Sequence, residues 1–351
     1  MVITQTHLES WATRLLAQWG YRDQDAAYLA ATLVDANTRG VDSHGVVRLP
    51  AYERRIVEKL VDPAAVPLVT VNGSVATIDA NGAAGQLAAR AATETVLERS
   101  RATGIATATV RASTHFGAAG YYARWLAGHG QIAIVVSNSE PAVVPFGGRD
   151  ALLGTNPFAF AAPTGGVPLS LDMATSTSAM GKVLIAQAAG ASIPNTWGVD
   201  ENGKPTTDAN AITALLPAGG PKGYGLGFLV EILGGVLSGA AIAHNLGNMY
   251  TDFSKPQDVG HFMLAMDVER FMPLADFTAR IGQLMAMAHE TAPAEGFSEV
   301  LVPGEPEQRT QEQRLREGIP LPGETVEALT ELGARYSVDF PAGPSRNGAT
   351  S

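Results

Sequence analysis

Helical patterns alternate with short β-branched runs along most of this chain, yet no Gly-x-Gly-x-x-Gly follows an early strand. The alternation confines the chain to the α/β or α+β class. The missing glycine fingerprint argues against an ordinary Rossmann dinucleotide fold. Leu8, Trp11, Leu15 and Leu16 share one side of a first helix that Thr6 can cap and that runs to about Trp19. A second helix starts at Asp23 or Asp25, carries Leu29, Leu33 and Val34, and stops near Gly40. A third spans about 50–60 before Pro63. Residues 66–78 read as a hairpin turning at Asn72-Gly73. Further helices are expected over 85–103, 118–128, 175–189 and 274–289. Strands are expected over 105–110, 131–136, 169–173, 261–268 and 300–302.

Nothing resembles an internal repeat or a long linker. Residues 1–340 are therefore read as one intertwined unit, with 1–62 helical, 63–340 a mixed α/β core and 341–351 a flexible tail. A net charge of −10 argues against a general phosphate-facing field, so nucleic acid is not an expected partner. The absence of cysteine removes thiolate chemistry and cysteine metal sites. It fits a reducing cytoplasm, as does a first stretch with no basic and apolar leader pattern. The seven histidines show no ligand spacing, so no metal site is expected. The most apolar stretch, 226–243, carries Glu231 and several glycines. A central carboxylate is costly in a membrane, so this stretch reads as a buried helix.

Two histidines sit in settings suited to chemistry. Ser43-His44-Gly45 follows a helix end, and Arg48 stands four residues beyond His44. An imidazole can move a proton near neutral pH, and a guanidinium can clamp a carboxylate with two parallel bonds. The alternative is a histidine tied to a helix terminus, with Arg48 paired to Glu53 or Asp42. His115 follows a β-branched strand, at a strand end where α/β proteins place their sites. Its alternative is a packing role. His129 in Gly-His-Gly is better read as a helix C-cap. Asp172-Met173-Ala174-Thr175 ends a strand and can receive an anion or simply cap a helix. Gly219 to Gly225, with Lys222, is a glycine-rich helix start that can also face an anion.

Read in order, these segments resemble the malate/L-lactate dehydrogenase family of non-Rossmann NAD(P)-dependent oxidoreductases. The resemblance spans about residues 5–335. It rests on Asp42-Ser43-His44-Gly45, Thr114-His115-Phe116-Gly117, Leu153-Gly154-Thr155-Asn156-Pro157, Asp172-Met173-Ala174-Thr175, Pro205-Thr206-Thr207-Asp208, Pro221-Lys222-Gly223-Tyr224-Gly225 and Pro303-Gly304-Glu305. Val143 to Gly148 and Ser192 to Trp197 are most similar to the ureidoglycolate-oxidising members.

The resemblance implies hydride transfer between a nicotinamide, NAD or NADP, and a small 2-hydroxy or 2-oxo acid. Reduction of a cyclic ketimine carboxylate is the alternative chemistry, and a non-catalytic dinucleotide-binding protein the alternative class. It also implies a homodimer with the site near the subunit interface. By motif, cofactor contacts carry over to Ser139, to Asp172, Met173 and Ala174, to Lys222, and to Gly304, Glu305 and Pro306; the family pattern varies at Glu305. Proton transfer carries over to His115 in some members and His44 in others. Ser43 would assist His44, and Arg48 matches a position facing the substrate carboxylate.

Overall fold

Thr4, not Thr6, caps the first helix: its hydroxyl accepts from the His7 amide at 3.3 Å. The computed structural model describes residues 1–341, so the expected tail lies outside the described residues apart from Pro341. The elements run in order as β1 (Val2–Ile3), α1 (Gln5–Gln18), α2 (Asp23–Thr38), α3 (Leu49–Val57), β2 (Leu68–Asn72), β3 (Val75–Asp79), α4 (Gly85–Thr103) and β4 (Ile105–Ser113). There follow α5 (Ala119–Gly128), β5 (Gln131–Ser137), β6 (Phe158–Ala162), β7 (Leu169–Met173), α6 (Met180–Ala188), β8 (Gly198–Val199) and β9 (Ala214–Leu215). The last are α7 (Pro221–Glu231), β10 (Val259–Asp267), α8 (Leu274–His289), α9 (Glu305–Glu317), β11 (Ile319–Pro320) and α10 (Gly323–Arg335).

The main sheet has seven strands in the order β2-β3-β4-β10-β5-β6-β7. Only β3 and β4 pair in parallel. The late strand β10 inserts between β4 and β5, antiparallel to both. The sheet is therefore mixed, and the first βαβ unit is the pairing of β3 and β4 through α4. Helices α4 and α5 lie on it through small side chains. Ala88, Ala89, Ala92 and Ala123 meet Ala106, Ala108, Ala133, Ala161 and Ala265, all buried. Alanine at these positions brings helix and sheet close together.

A second core joins the two ends of the chain. Leu8, Trp11, Leu15, Leu16, Leu29 and Leu33 pack with Leu329 and Leu332 of α10. Trp11 donates its indole N–H to the Val338 carbonyl at 3.2 Å. Residues 300–302, expected as a strand, are irregular, and the expected helix over 175–189 starts only at Met180.

The apolar stretch around Glu231 departs from the expected buried helix. Helix α7 runs into a π-helical turn, Ile232–Val236. Val230, Glu231, Gly234 and Gly235 are buried, but Val236 and Leu237 are each 58% exposed and Phe228 and Leu229 each 45%. The glycines face inward because the backbone passes so close. A Cβ on Gly234 would stand 2.9 Å from the Asn138 amide nitrogen. Among the described residues no helix is long and apolar enough to cross a membrane.

Candidate active site

The Ser43-His44 turn leaves α2 as two successive 3-10 turns, and α2 itself holds it. Asn37 donates to Asp42 at 2.7 Å and accepts the Val46 amide at 2.9 Å. Gly45 passes so close that a Cβ would lie 2.2 Å from the Asn37 amide oxygen, a clash no larger residue avoids. Arg314 of α9 adds a fork on Asp42, at 2.7 and 2.9 Å. Within the turn, the Ser43 hydroxyl lies 3.0 Å from His44 Nδ1. Arg48 donates Nε to the Ser43 carbonyl and lays its guanidinium 5.2 Å from the centre of the Tyr250 ring. Its remaining N–H groups are left for another acceptor.

His115 comes from the opposite side, off the end of β4. Its loop rests on the start of α4, where the Gly85 amide donates to the Thr114 hydroxyl at 3.0 Å. A Cβ on Gly85 would stand 2.3 Å from the Thr114 carbonyl. The Tyr52 hydroxyl lies 2.7 Å from His115 Nδ1, and Gln86 donates to that hydroxyl at 3.0 Å. The two imidazoles stack with centroids 5.4 Å apart and planes inclined by 28°. Ser43, His44, Arg48, His115 and Ser139 thus line one cavity of about 360 Å³.

Burial holds both imidazoles neutral at pH 7. It pushes the His44 pKa down to about 4, with Arg48 adding to the effect. It takes His115 well below its ordinary value, helped by His44, Arg48 and His261. A neutral imidazole can accept a proton, which an imidazolium cannot.

An adjoining cavity of about 370 Å³ is lined by Asp172, Met173 and Ala174, and shares Ser43, His44, Gly117 and Thr155 with the first. Asp172 accepts the Gly120 amide at 2.7 Å, while burial raises its pKa against that bond. Ser139 is held by a chain behind the sheet. Its amide donates to Asn156 at 3.1 Å, and Asn156 donates to Glu231 at 2.8 Å. Glu231 also accepts the Ala243 amide at 2.9 Å. The carboxylate inside the apolar stretch is therefore a buried, satisfied anchor of the Ser139 loop.

The other expected cofactor residues lie apart from both cavities. Gly304, at a left-handed φ of 93°, begins α9 against Ser170, two residues before Asp172. Glu305 accepts the Val302 amide at 2.9 Å and pairs with His289 at 2.9 Å, so its carboxylate is taken up by its own turn and the end of α8. Pro306 occupies the first turn of α9, and Glu307 after it reaches the second cavity. Lys222 is exposed at the start of α7 and lines neither cavity. His129 caps α5, with Nδ1 2.8 Å from the Trp125 carbonyl, as its Gly-His-Gly setting suggests.

The sequence profile described as malate/L-lactate dehydrogenase matches residues 3–330. The chain belongs to the malate/L-lactate dehydrogenase family. It is 37% identical over 342 residues to an NAD(+) ureidoglycolate dehydrogenase of Escherichia coli O157:H7, covering 97% of this chain and 98% of that one. It is 35% identical over 347 residues to a malate dehydrogenase of Pyrococcus abyssi, covering 96% and 95%. The crystal structure of malate dehydrogenase from Entamoeba histolytica, 28% identical, superposes with a TM-score of 0.92 over 97% of this chain and 99% of that one. Membership in this family accounts for a dinucleotide enzyme without the Rossmann glycine fingerprint.

Sequence reasoning missed Tyr52, Gln86, Asn156 and Glu231 as parts of the site. Tyr52 had a usable signal: it lies four residues past Arg48, one helical turn along α3. Asn156 stands in the Leu153-Gly154-Thr155-Asn156-Pro157 motif, but its partners are distant in sequence; Gln86 had no signal.

Proposed function

We propose that this chain transfers a hydride between a nicotinamide dinucleotide and a small 2-hydroxy or 2-oxo acid, with ureidoglycolate and malate as the leading candidates. The observation that carries this reading is the convergence of His44, Arg48 and His115 on one cavity. The adjoining cavity along Asp172, Met173 and Ala174 takes the dinucleotide in this reading, supported by the lining it shares with the first. NAD or NADP bound there supplies the hydride acceptor or donor. Ser139 and residues 172–174 would hold it, with Gly304 to Pro306 behind Ser170 and Lys222 at the α7 start completing the set by motif.

The chain's own groups do the rest. Arg48 takes the substrate carboxylate and fixes which face of the neighbouring carbon is presented. His115 accepts the hydroxyl proton during oxidation and returns it during reduction. His44, with Ser43 on its Nδ1, polarises the same oxygen from the stacked position. The depressed pKa of each imidazole keeps the neutral form dominant in the open site at pH 7.

The bare apolar face of α7 and its π turn is covered by a second copy of this chain in this reading. A face carrying Phe228, Leu229, Ile232, Val236 and Leu237 is larger than a scatter of single exposed residues. The site then stands near the interface, since Glu231 on the same segment anchors the Ser139 loop.

The test is a panel of ureidoglycolate, malate, lactate, sulfolactate and piperideine-2-carboxylate with NAD and NADP, followed at the nicotinamide absorbance. Turnover of a 2-hydroxy acid supports the reading. Turnover of the cyclic imine alone would replace it with C=N reduction. Dinucleotide binding without turnover of any of them would reduce the chain to a binding protein.

A further inference from the structure

His115 has two ring nitrogens, and the hydride reaction proposed above needs a particular one to face the substrate. Nδ1 is occupied from behind. The Gly117 amide donates to it at 3.3 Å, and the Tyr52 hydroxyl lies 2.7 Å away. Gln86 Nε2 donates to the Tyr52 oxygen at 3.0 Å, which leaves the phenolic proton to point at Nδ1. Both donors therefore meet a bare Nδ1, and the neutral ring carries its proton on Nε2. Among the described residues no group bonds Nε2, and His115 lines the cavity.

The form held in the open site is thus a hydrogen-bond donor toward the substrate oxygen. That suits a 2-oxo acid, whose carbonyl oxygen accepts. A 2-hydroxy acid needs the reverse: a bare Nε2, with the proton on Nδ1 donated to Tyr52. The Tyr52 phenol would then donate onward, and among the described residues its one partner besides His115 is Gln86. An amide can serve, because one end donates and the other accepts. Gln86 is buried and Tyr52 half-buried, with the phenol oxygen held between His115 and Gln86.

We propose that Gln86, acting through the Tyr52 hydroxyl, is a positioning residue that decides which nitrogen of His115 carries the proton, and that turning its amide end for end exchanges the two forms. With Nε2 of Gln86 toward Tyr52, His115 presents N–H. With Oε1 toward Tyr52, Tyr52 donates to Gln86 and accepts from Nδ1–H, the Gly117 amide gives up its 3.3 Å bond to Nδ1, and His115 presents a lone pair. In oxidation the substrate O–H bond breaks and its proton joins that lone pair, while the hydride leaves the carbon for the nicotinamide. No net proton passes beyond the ring, so Tyr52 never becomes a phenolate. This is consistent with burial holding its proton tightly. His44 and Arg48 on one side and His261 behind complete the titratable groups around the ring.

The experiment is NMR of isotope-labelled histidine ring nitrogens in the full chain, with the His115 signals assigned by their loss in His115→Asn. It needs no substrate, so its failure is separate from failure of the proposed reaction. The wild-type chain should show a protonated Nε2 and a bare Nδ1. Gln86→Glu, whose carboxylate only accepts, should move the proton to Nδ1. Adding Tyr52→Phe to Gln86→Glu should restore the wild-type pattern, because Gly117 still donates to Nδ1. Should Gln86→Glu fail to fold, the wild-type spectrum and Tyr52→Phe carry the test, since Tyr52→Phe alone should keep the Nε2 proton. On any acid that turns over, Tyr52→Phe should lower kcat by up to about 100-fold, the cost of a misplaced catalytic ring, with cofactor affinity unchanged. A proton on Nδ1 in the wild type overturns the proposal. So does an unchanged pattern in Gln86→Glu, or a double variant that swaps as fully as Gln86→Glu alone.

Discussion

At the scale of single residues, the division of labour between Arg48 and the imidazoles makes distinct predictions. Arg48→Lys keeps the charge but loses the planar fork. It should raise KM for the acid by about 10- to 100-fold, the worth of one charge-assisted bond, with kcat nearly kept. Steady-state kinetics over substrate concentration checks this, and an unchanged KM would remove Arg48 from the carboxylate. His44 and His115 were legible because each stands near glycine and a hydroxyl residue in a predicted loop, and Arg48 because it follows His44 by four residues. Tyr52 and Gln86 were not. They reach His115 across 63 and 34 positions of chain in successive links, and such pairing is written in packing rather than in local pattern.

At the scale of elements, the site depends on two close backbone passages, at Gly45 and Gly85. Gly85→Ala would force a Cβ into the Thr114 carbonyl. Overpacking of that kind costs about 1–3 kcal/mol, and here the relief would come from the His115 loop. Denaturant unfolding should show the loss of stability, and turnover should fall with it. Wild-type turnover in a destabilised variant would mean the loop is not held by this contact. Elements with a clear period read directly from the sequence: α4, β7 and α8 appear where their patterns end. The expectations failed where pattern and structure part. Helix α9 buries no residue and is almost wholly polar, so it has no apolar stripe to read. Its role is the Arg314 fork on Asp42. Strand β6, between Pro157 and Pro163, looks like loop until β5 and β7 claim it as a neighbour.

At the scale of the whole molecule, two features link stability to surroundings. The first is the bare α7 face. Replacing Leu237 with glutamate should give monomers by light scattering where the wild type gives dimers. A wild type that is monomeric at assay concentration contradicts the covered-face reading. The second is acid sensitivity. His261 is fully buried between the Ser113 and Ser137 hydroxyls at 2.8 and 2.9 Å, stacked on Phe116. Burial pushes its pKa down from 6.5 to about 3. Below the unfolded value the unfolded chain binds a proton that the folded one refuses. Stability is therefore full above that value and declines as pH falls toward the folded one. At about 1.4 kcal/mol per unit, His261 alone should cost about 2 kcal/mol between pH 7 and pH 5. Unfolding of wild type and His261→Gln across that window measures it, and equal slopes would show that His261 does not carry the effect.

The family and the mixed sheet could be reached from ordered motifs. How the ends of the chain meet could not, since α10 carries no sign that its Leu329 and Leu332 belong with α1. The central claim is that His115 moves the proton of a carboxylated substrate beside a nicotinamide. It is tested most directly by His115→Asn, measured for dinucleotide binding and for turnover of the acid that the wild type prefers. Dinucleotide affinity should hold while kcat falls by about 100- to 10,000-fold, the usual worth of a positioned acid–base group. Turnover at the wild-type rate in that variant would contradict the account.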